Sequence, residues 1–244
     1  MKPLARLGDA RAPDGTQLTL TKRDDEFMIL ASGMPLMTSR MHGSEQALAT
    51  LGCREIPAHG ARVLVGGLGM GFTLRVALDL LPPDGGVVVA ELVPAVVEWN
   101  RGPLGPLAGH PLNDPRVRLD VRDVRETLAA RDATFDAILL DVDNSPDAFT
   151  VRSNQSIYRE AGLAAIHAAL RPGGMLAMWS DSEDKWFETR LRRAGFVVTA
   201  ERVRGRLAGK GPHHTIFLAR ATAALSGGRQ GGDRASSRRA TGGQ

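Results

Sequence analysis

The sequence is poor in cysteine and in aromatic residues, and both shortages exclude classes of protein. Cys53 is the single cysteine among 244 residues, which excludes an internal disulfide framework and a metal site built from cysteines. Aromatic residues make up 5% of the chain, so a nucleic-acid groove lined by stacking aromatics is not expected. No apolar run reaches the roughly 18 residues that a membrane span needs, and residues 1–11 lack an apolar signal core. We therefore expect a cytoplasmic protein without a metal, a membrane anchor or a nucleic-acid partner.

The basic charge of the chain is concentrated at one end. Residues 221–244 contain four arginines and one aspartate, so they carry three of the four net positive charges. This segment is rich in Gly and Ser and has no aromatic residue, and such a composition cannot bury enough apolar surface to fold. We expect residues 221–244 to form a disordered basic tail. The rest of the chain is nearly neutral, so the high isoelectric point does not indicate nucleic-acid binding.

Hydrophobic patterning predicts a small N-terminal unit followed by a larger α/β unit. Residues 16–22 and 26–31 are short strand-like runs separated by a turn, which predicts a β-hairpin, and a helix is expected over 44–51 with Ser44 as its N-cap. We assign residues 1–55 to this N-terminal subdomain and residues 56–220 to the second domain. There, β-branched runs alternate with helical segments near 70–81, 94–101, 123–131 and 154–170, which predicts a parallel sheet with right-handed crossovers. The expected strands are 62–65, 87–91, 117–120, 136–141 and 175–180, with an antiparallel pair at 196–203 and 214–219.

A glycine-rich turn joins the first of these strands to a helix. The segment VLVGGLGMG places glycines at positions 66, 67, 69 and 71. Glycine permits positive φ and lets the backbone approach a ligand closely, and the helix that follows presents free N–H donors. The spacing G-x-G-x-G differs from the G-x-G-x-x-G of dinucleotide sites. It is usual in proteins that bind S-adenosylmethionine (SAM), so Gly66, Gly67, Gly69 and Gly71 are candidate cofactor-binding residues.

Acidic residues follow the next two predicted strands. Glu91 closes the second strand, 20 residues after Gly71, where a carboxylate can accept hydrogen bonds from both hydroxyls of a ribose. Asp123 follows the third strand and could accept a hydrogen bond from an adenine amino group. Asp120 is an alternative for that role, and Asp123 could instead be a simple helix N-cap.

The fourth strand of the larger domain ends in polar residues that could carry chemistry. The run FDAILLDVDNSP places Asp141 at the strand end and Asp143 two residues later. Sites in α/β folds form at the carboxyl ends of parallel strands, and an acid there could act as general base toward an amine. Asp141 is the first candidate for a catalytic residue and Asp143 is the second.

At these residues the sequence resembles the spermidine synthase superfamily over roughly residues 15–220. The likeness includes the N-terminal hairpin, the VLVGGLGMGFTLR loop, VVVAEL, NDPRVRL, FDAILLDVD and LRPGGMLAMWS. It implies a Rossmann-like class I SAM-dependent methyltransferase fold, with a mostly parallel seven-stranded sheet and a small N-terminal β-hairpin domain. It also implies that Glu91 binds ribose, that Asp123 binds adenine and that Asp141 is the general base. A homodimer is expected because members of the family often pair through the N-terminal region.

Several positions depart from the family pattern for holding an amine. The aspartate of the family's glycine loop falls here on Gly69 or Met70, and the second acid of its D-x-x-D pair becomes Asn144. The tyrosine and histidine before the family's glutamate are replaced by Gly43 and Ser44, which leaves Glu45. A missing charged hydrogen bond costs about 1.5–3 kcal/mol, so recognition of a diamine is expected to be weakened.

These departures determine the expected reaction. Glu45, Asn144 and Asp181, the last of which follows the fifth strand, are candidate substrate-binding residues. The N–H groups of a glycine turn can take the carboxylate of intact SAM, which favours methyl transfer to a small-molecule acceptor as the main expectation. Aminopropyl transfer from decarboxylated SAM is the first alternative, with the missing acids replaced elsewhere in space. A SAM-binding protein without catalysis is the second.

Overall fold

Two β-sheets organise residues 3–141, 154–207 and 211–222, which are the residues that this computed structural model describes. The smaller sheet has four antiparallel strands in chain order. They are β1 (Ala5–Arg11), β2 (Gln17–Arg23), β3 (Glu26–Ala31) and β4 (Met34–Thr38).

The centre of the small sheet is the predicted hairpin, and its outer strands were not expected from the sequence. In β2 and β3 buried and more exposed residues alternate, so the hairpin has one apolar face. The strand β1 is mostly exposed, and β4 contains Pro35, which is tolerated because β4 is an edge strand. Both outer strands therefore lack the alternation by which a strand is recognised in a sequence.

The larger sheet has seven strands in the order β10-β11-β9-β8-β5-β6-β7. The strands β5 to β9 run parallel to their neighbours in this order, and β11 and β10 are added antiparallel at one edge. This arrangement confirms the predicted Rossmann-like fold with a mostly parallel seven-stranded sheet. The strands are β5 (Arg62–Gly66), β6 (Gly86–Ala90), β7 (Val117–Asp120), β8 (Phe135–Leu140), β9 (Leu170–Ser180), β10 (Phe196–Arg204) and β11 (His213–Ala221).

Helices cover both faces of the larger sheet. They are α1 (Gly43–Gly52), α2 (Phe72–Leu80), α3 (Pro94–Arg101), α4 (Val124–Ala129), α5 (Glu160–Ala169) and α6 (Lys185–Arg193). One apolar core joins α1, α2, α3 and the small sheet to one face, and a second core joins α4, α5 and α6 to the other. The helix α1, which we assigned to the N-terminal subdomain, packs against α2 and strands of the larger sheet. None of the helices in the described ranges has the length and apolar character needed to cross a membrane.

Three local expectations from the sequence need correction or qualification. Ser44 is not the N-cap of α1: His42 holds that position, and the Ser44 hydroxyl donates to Glu45 Oε2 at 2.9 Å. The helix expected over 154–170 is divided into a 3-10 turn, Asn154–Tyr158, and α5. The helix α6 was not predicted, although Asp184 caps it by accepting a hydrogen bond from the Phe187 N–H at 2.9 Å. Of the predicted tail, residues 223–244 lie outside the described ranges.

Candidate functional site

A cleft lies at the carboxyl ends of the parallel strands, between the larger sheet and the small N-terminal sheet. It brings together five of the residues that the sequence singled out: Gly67, Gly69, Glu91, Asp123 and Asp141. The facing wall is apolar and comes from the small sheet, through side chains that include Leu18, Ile29, Ala31, Leu36 and Met37. This wall could not be predicted from the sequence, because it depends on how the two sheets pack.

The glycine loop shapes the floor of the cleft, and its four glycines have different positions. Gly67 and Gly69 line the cleft and have φ values of 91° and 52°, which favour glycine. Gly66 does not line it: a Cβ there would lie 2.7 Å from the Leu140 side chain, so close packing under the loop requires glycine. Gly71 is the N-cap of α2 and lies against Asn100. Two of the four candidate glycines therefore face the space where a ligand would lie.

Glu91 is the most enclosed acid of the cleft, with only 7% of its surface exposed. Its two carboxylate oxygens accept hydrogen bonds from the backbone N–H groups of Leu68 and Val93, each at 2.8 Å. Burial raises the pKa of Glu91, and these N–H groups partly oppose that rise. A carboxylate oxygen has two lone pairs, so each oxygen retains acceptor capacity for a ligand hydroxyl. Glu91 thus holds the glycine loop and also lines the cleft.

Asn100 is a second anchor of the glycine loop, and the sequence reasoning missed it. Its side chain is 1% exposed, and its Nδ2 donates to the carbonyl oxygens of Gly69 at 2.8 Å and Val96 at 2.9 Å. It lies one helical turn after Val96, on the buried face of α3. A polar residue at a buried helix position is a usable signal, because such a group must find a hydrogen-bond partner inside the protein.

Asp123 lines the cleft and also caps α4. Its carboxylate accepts from the Arg125 backbone N–H at 2.8 Å and from the Arg125 Nε at 3.0 Å. Burial would raise the pKa of Asp123, but the hydrogen bonds and charge of Arg125 outweigh it and hold the pKa below its usual value. Asp120, the alternative for the adenine role, pairs instead with Arg131 at 3.3 Å and does not line the cleft. The capping role is therefore present, and the adenine role stays a prediction.

Asp141 lies directly after β8, and its backbone N–H donates to the Gly66 carbonyl at 3.0 Å. This bond places its carboxylate beside the glycine loop, where the Thr73 hydroxyl is 3.4 Å from Oδ2. Burial raises the pKa of Asp141 to about 6, and the Thr73 hydroxyl opposes the rise only in part. At neutral pH this carboxylate is mostly ionised but close to its titration range, which suits a group that accepts protons.

Known proteins resemble the chain both in sequence and in fold, although no protein-family model matches it. A polyamine aminopropyltransferase of Mycobacterium tuberculosis is 29% identical over 196 residues, which cover 75% of this chain and 35% of that protein. The spermidine synthase of Thermotoga maritima superimposes with a TM-score of 0.70 at 17% identity, over 88% of this chain and 72% of that one. A spermidine synthase solved with the transition-state analogue AdoDATO gives 0.71 at 18% identity, over 88% and 73%.

The chain is similar to polyamine aminopropyltransferases in sequence and to spermidine synthases in fold. This confirms the resemblance seen in the sequence motifs. The chain spans about a third of the length of the curated mycobacterial relative, so likeness to that protein does not by itself assign its activity to this one.

Two further candidate residues, Glu45 and Asp181, do not line the cleft with the others. Glu45 lies in the first turn of α1, and its backbone carbonyl is 3.4 Å from the Thr73 hydroxyl. Asp181 lies in a separate pocket beyond β9, together with Glu183, His213 and His214. Asp143 and Asn144 fall outside the described residues, so their roles stay predictions.

The described side chains that line the cleft give it a negative character. Glu91, Asp123 and Asp141 are acidic, and no lysine, arginine or histidine lines the cleft in the described ranges. The same ranges contain no group of three or more His, Cys, Asp or Glu side chains arranged to hold a metal ion. A ligand that carries positive charge would therefore be favoured over one that carries phosphate groups.

The position expected to hold the family's loop aspartate is apolar in this cleft. Gly69 has no side chain, and a Cβ built on it would lie 3.1 Å from the terminal methyl carbon of Met37. The Met37 side chain therefore packs over the loop at the place where the resemblance predicts a carboxylate. Of the three acids in the cleft, Glu91 binds the Leu68 N–H beside Gly69, and the backbone N–H of Asp141 binds the Gly66 carbonyl at the start of the loop.

Proposed function

We propose that this chain is an aminopropyltransferase of the spermidine synthase type, which uses decarboxylated SAM as donor and a small amine as acceptor. The observation that carries the proposal is the set of three carboxylates that line a cleft free of basic side chains within the described residues. Decarboxylated SAM carries a sulfonium and an ammonium, whereas intact SAM also carries a carboxylate. An all-acidic lining favours the donor without the carboxylate. The names of the similar proteins support the same choice.

The residues of the cleft fit the adenosyl part of such a donor. Glu91 would accept hydrogen bonds from the ribose hydroxyls, because each of its oxygens has acceptor capacity beyond the backbone N–H that it already holds. Gly67 and Gly69 leave room above the loop, since neither has a side chain. Asp123 would accept from the adenine amino group through capacity that Arg125 leaves open. The apolar wall from the small sheet would cover the base.

The chemistry proposed for Asp141 is that of a proton acceptor. When bound, the donor would supply a carbon that is already activated by the positively charged sulfur to which it is attached. The chain would hold the acceptor amine in line with that carbon, so that the new carbon–nitrogen bond forms as the carbon–sulfur bond breaks and the neutral thioether 5′-methylthioadenosine leaves. Asp141 would take the proton that the amine releases and pass it to water. The burial that raises the pKa of Asp141 makes its carboxylate a stronger base than an exposed aspartate.

Methyl transfer from intact SAM is the second candidate, and the apolar contact between Gly69 and Met37 favours it. The glycine loop itself, residues 66–71, contributes no carboxylate for the donor's ammonium. The N–H groups of Gly69 and Met70 form no hydrogen bond with another described residue, so they could take the carboxylate of SAM. In both candidates the chain is a SAM-type transferase, and a homodimer in the cytoplasm stays a prediction.

Calorimetric titration with three ligands tests the proposal: decarboxylated SAM, SAM and the uncharged nucleoside 5′-methylthioadenosine. The nucleoside measures recognition of the adenosyl part, and the difference between the two sulfonium donors measures how the cleft discriminates their tails. We expect decarboxylated SAM to bind about tenfold tighter than SAM, the effect of one charged hydrogen bond. Binding of none of the three would refute the proposal.

Measurement of product formation further distinguishes the candidate functions. Each donor is incubated with a panel of small amines and alcohols, and the aminopropylated or methylated products are identified by mass spectrometry. Asp141→Asn should keep donor binding and lose turnover, whereas the exposed Asp132→Asn should keep both. Methylated products and tighter binding of SAM would establish the second candidate. Tight donor binding with no product from any acceptor would favour a binding protein without catalysis.

A further inference from the structure

Five arginines line one pocket on the larger sheet, far from the cleft along the strands. We call it the arginine pocket, and its arginines are Arg62, Arg116, Arg118, Arg131 and Arg171. Arg62 begins β5, and Gly86 and Phe135, which also line the pocket, begin β6 and β8. The pocket therefore lies at the amino ends of the parallel strands, whereas the cleft lies at their carboxyl ends. Its volume is about 410 Å³.

Strand geometry explains why these side chains converge. Arg116 precedes β7, and its Nη1 donates to the Leu81 carbonyl at 3.2 Å, just after α2. Within β7 successive side chains alternate between the faces, so Arg118 points to the same side of the sheet as Asp120. On that side, Val88 and Phe135 contribute to the core under α4 and α5. Arg131, just beyond the end of α4, lies over the Phe135 ring at 5.7 Å. The five side chains therefore reach one pocket from the start of β5, from β7 and the residue before it, from the end of α4 and from the start of β9.

Carboxylates neutralise these arginines incompletely. Asp120 is shared by Arg131 at 3.3 Å and Arg118 at 3.5 Å. The other two ion pairs of the pocket each use one carboxylate: Arg116 with Asp114 and Arg171 with Asp136, both at 2.8 Å. Three carboxylates therefore serve four guanidinium groups.

Arg62 is the fifth guanidinium, and it forms no ion pair with a described residue. Its Nη1 donates to the carbonyl oxygens of Ala61 at 3.2 Å and Asp84 at 3.1 Å. The Asp84 carboxylate pairs with His59 at 3.7 Å. The pKa of Asp84 is lowered first by the Gly60 backbone N–H, and the charge of Arg62 is the weakest of its causes. Counting the five guanidinium groups against the three paired carboxylates leaves two positive charges in excess within the pocket.

We propose that the arginine pocket binds the phosphate group of a small anionic ligand. Guanidinium groups present planar pairs of N–H donors that match phosphate oxygens, and they stay charged at every physiological pH. Like charges held together in one pocket repel, and an anion with two or more negative charges relieves that repulsion. Arg62 and Arg118 are the donors available to it, because both are exposed and neither is held by a carboxylate of its own.

Calorimetric titration of the full chain with inorganic pyrophosphate tests this site. We expect saturable binding at one site, weakened about tenfold or more in the double variant Arg62→Gln with Arg118→Gln. The matched control is Arg54→Gln with Arg193→Gln, which removes the same charge from two exposed arginines outside the pocket. The control should bind within about twofold of the parent chain, since distant surface charges are screened by salt. Circular dichroism verifies that both double variants are folded.

Two further results decide the proposal. Ribose 5-phosphate serves as a second probe: tighter binding than inorganic phosphate would identify a sugar phosphate as the ligand class, and equal binding would identify the phosphate group alone. The affinity for pyrophosphate should persist in Glu91→Gln, which separates this pocket from the cleft and from the proposed transferase function. No saturable binding of pyrophosphate up to about 10 mM, or equal weakening in both double variants, would overturn the proposal.

Discussion

Replacing Asp141 with asparagine should stabilise the fold above neutral pH while abolishing turnover. The carboxylate has a pKa of about 6 in the folded chain, because burial disfavours its charged form. In the unfolded chain it returns to about 3.8. Since the folded-state pKa is the higher one, Asp141 favours folding when it is protonated, and this contribution is lost as the pH rises through about 6. The ionised carboxylate is thus a cost to stability at neutral pH.

The size of this cost follows from the two pKa values. A shift from 3.8 to about 6 corresponds to about 3 kcal/mol at pH 8, and to roughly half of that at pH 5. Part of the Asp141 side chain faces the cleft, so we take 3 kcal/mol as an upper limit. An asparagine at this position carries no charge, and its amide oxygen can still accept the Thr73 hydroxyl that now lies 3.4 Å from Asp141 Oδ2. The variant should therefore remove the cost of the charge while it keeps the contact with the Thr73 hydroxyl.

Urea unfolding of Asp141→Asn and the parent chain at pH 8 and pH 5 measures the effect. We expect the variant to be more stable by about 1–3 kcal/mol at pH 8 and by clearly less at pH 5. Asp132→Asn is the control, because Asp132 is exposed and surface substitutions change stability by about 0.5 kcal/mol or less. A variant less stable than the parent at pH 8, or a gain that does not depend on pH, would show that Asp141 is not desolvated.

Three further predictions follow from the site and the core. Asn100→Asp should weaken donor binding about tenfold in calorimetry, because it removes the N–H that holds the Gly69 carbonyl. Unchanged affinity would show that Asn100 does not position the glycine loop for donor binding. Gly52→Ala should lower the free energy of unfolding in urea by about 1–3 kcal/mol, since the new Cβ would lie 2.3 Å from Leu139 Cδ2. An unchanged free energy of unfolding would show that the core rearranges to accommodate the added methyl group. Transferase activity should fall as the pH drops below about 6, where Asp141 becomes protonated; a flat rate profile from pH 5 to 8 would remove its role as base.

The strands of the larger sheet could be predicted from the sequence because most are buried on both faces. Such strands are short continuous apolar runs between turns, and β5, predicted over 62–65, is observed over Arg62–Gly66. Glu91 and Asp141 could be predicted as site residues because each comes directly after one of these strands. The carboxyl ends of parallel strands lie at the same edge of a sheet. Their meeting in one cleft is a consequence of strand order alone.

What the sequence could not predict depends on contacts between distant segments. Met37 reaches the glycine loop only because the small sheet packs over it, and nothing local to β4 indicates that contact. Asp181 follows β9 as predicted, yet it lines a different pocket from Asp141, because the path of the chain beyond the strand decides where a side chain lies. The sequence allows both a helix-capping role and a ligand-binding role for Asp123. The structure shows that Asp123 caps α4 and that it also lines the cleft.

The buried acids of the cleft lower the stability of the fold when they are ionised. Burial raises the pKa of both Glu91 and Asp141, so each is costly to ionise without a ligand. Strained or desolvated groups that cluster in one cleft are a mark of functional sites. A cation bound between them would lower both pKa values, because an opposite charge nearby stabilises the ionised form. Binding of the proposed sulfonium donor would therefore regain part of the free energy that these carboxylates cost, which would link the instability of the site to the proposed preference for a positively charged ligand.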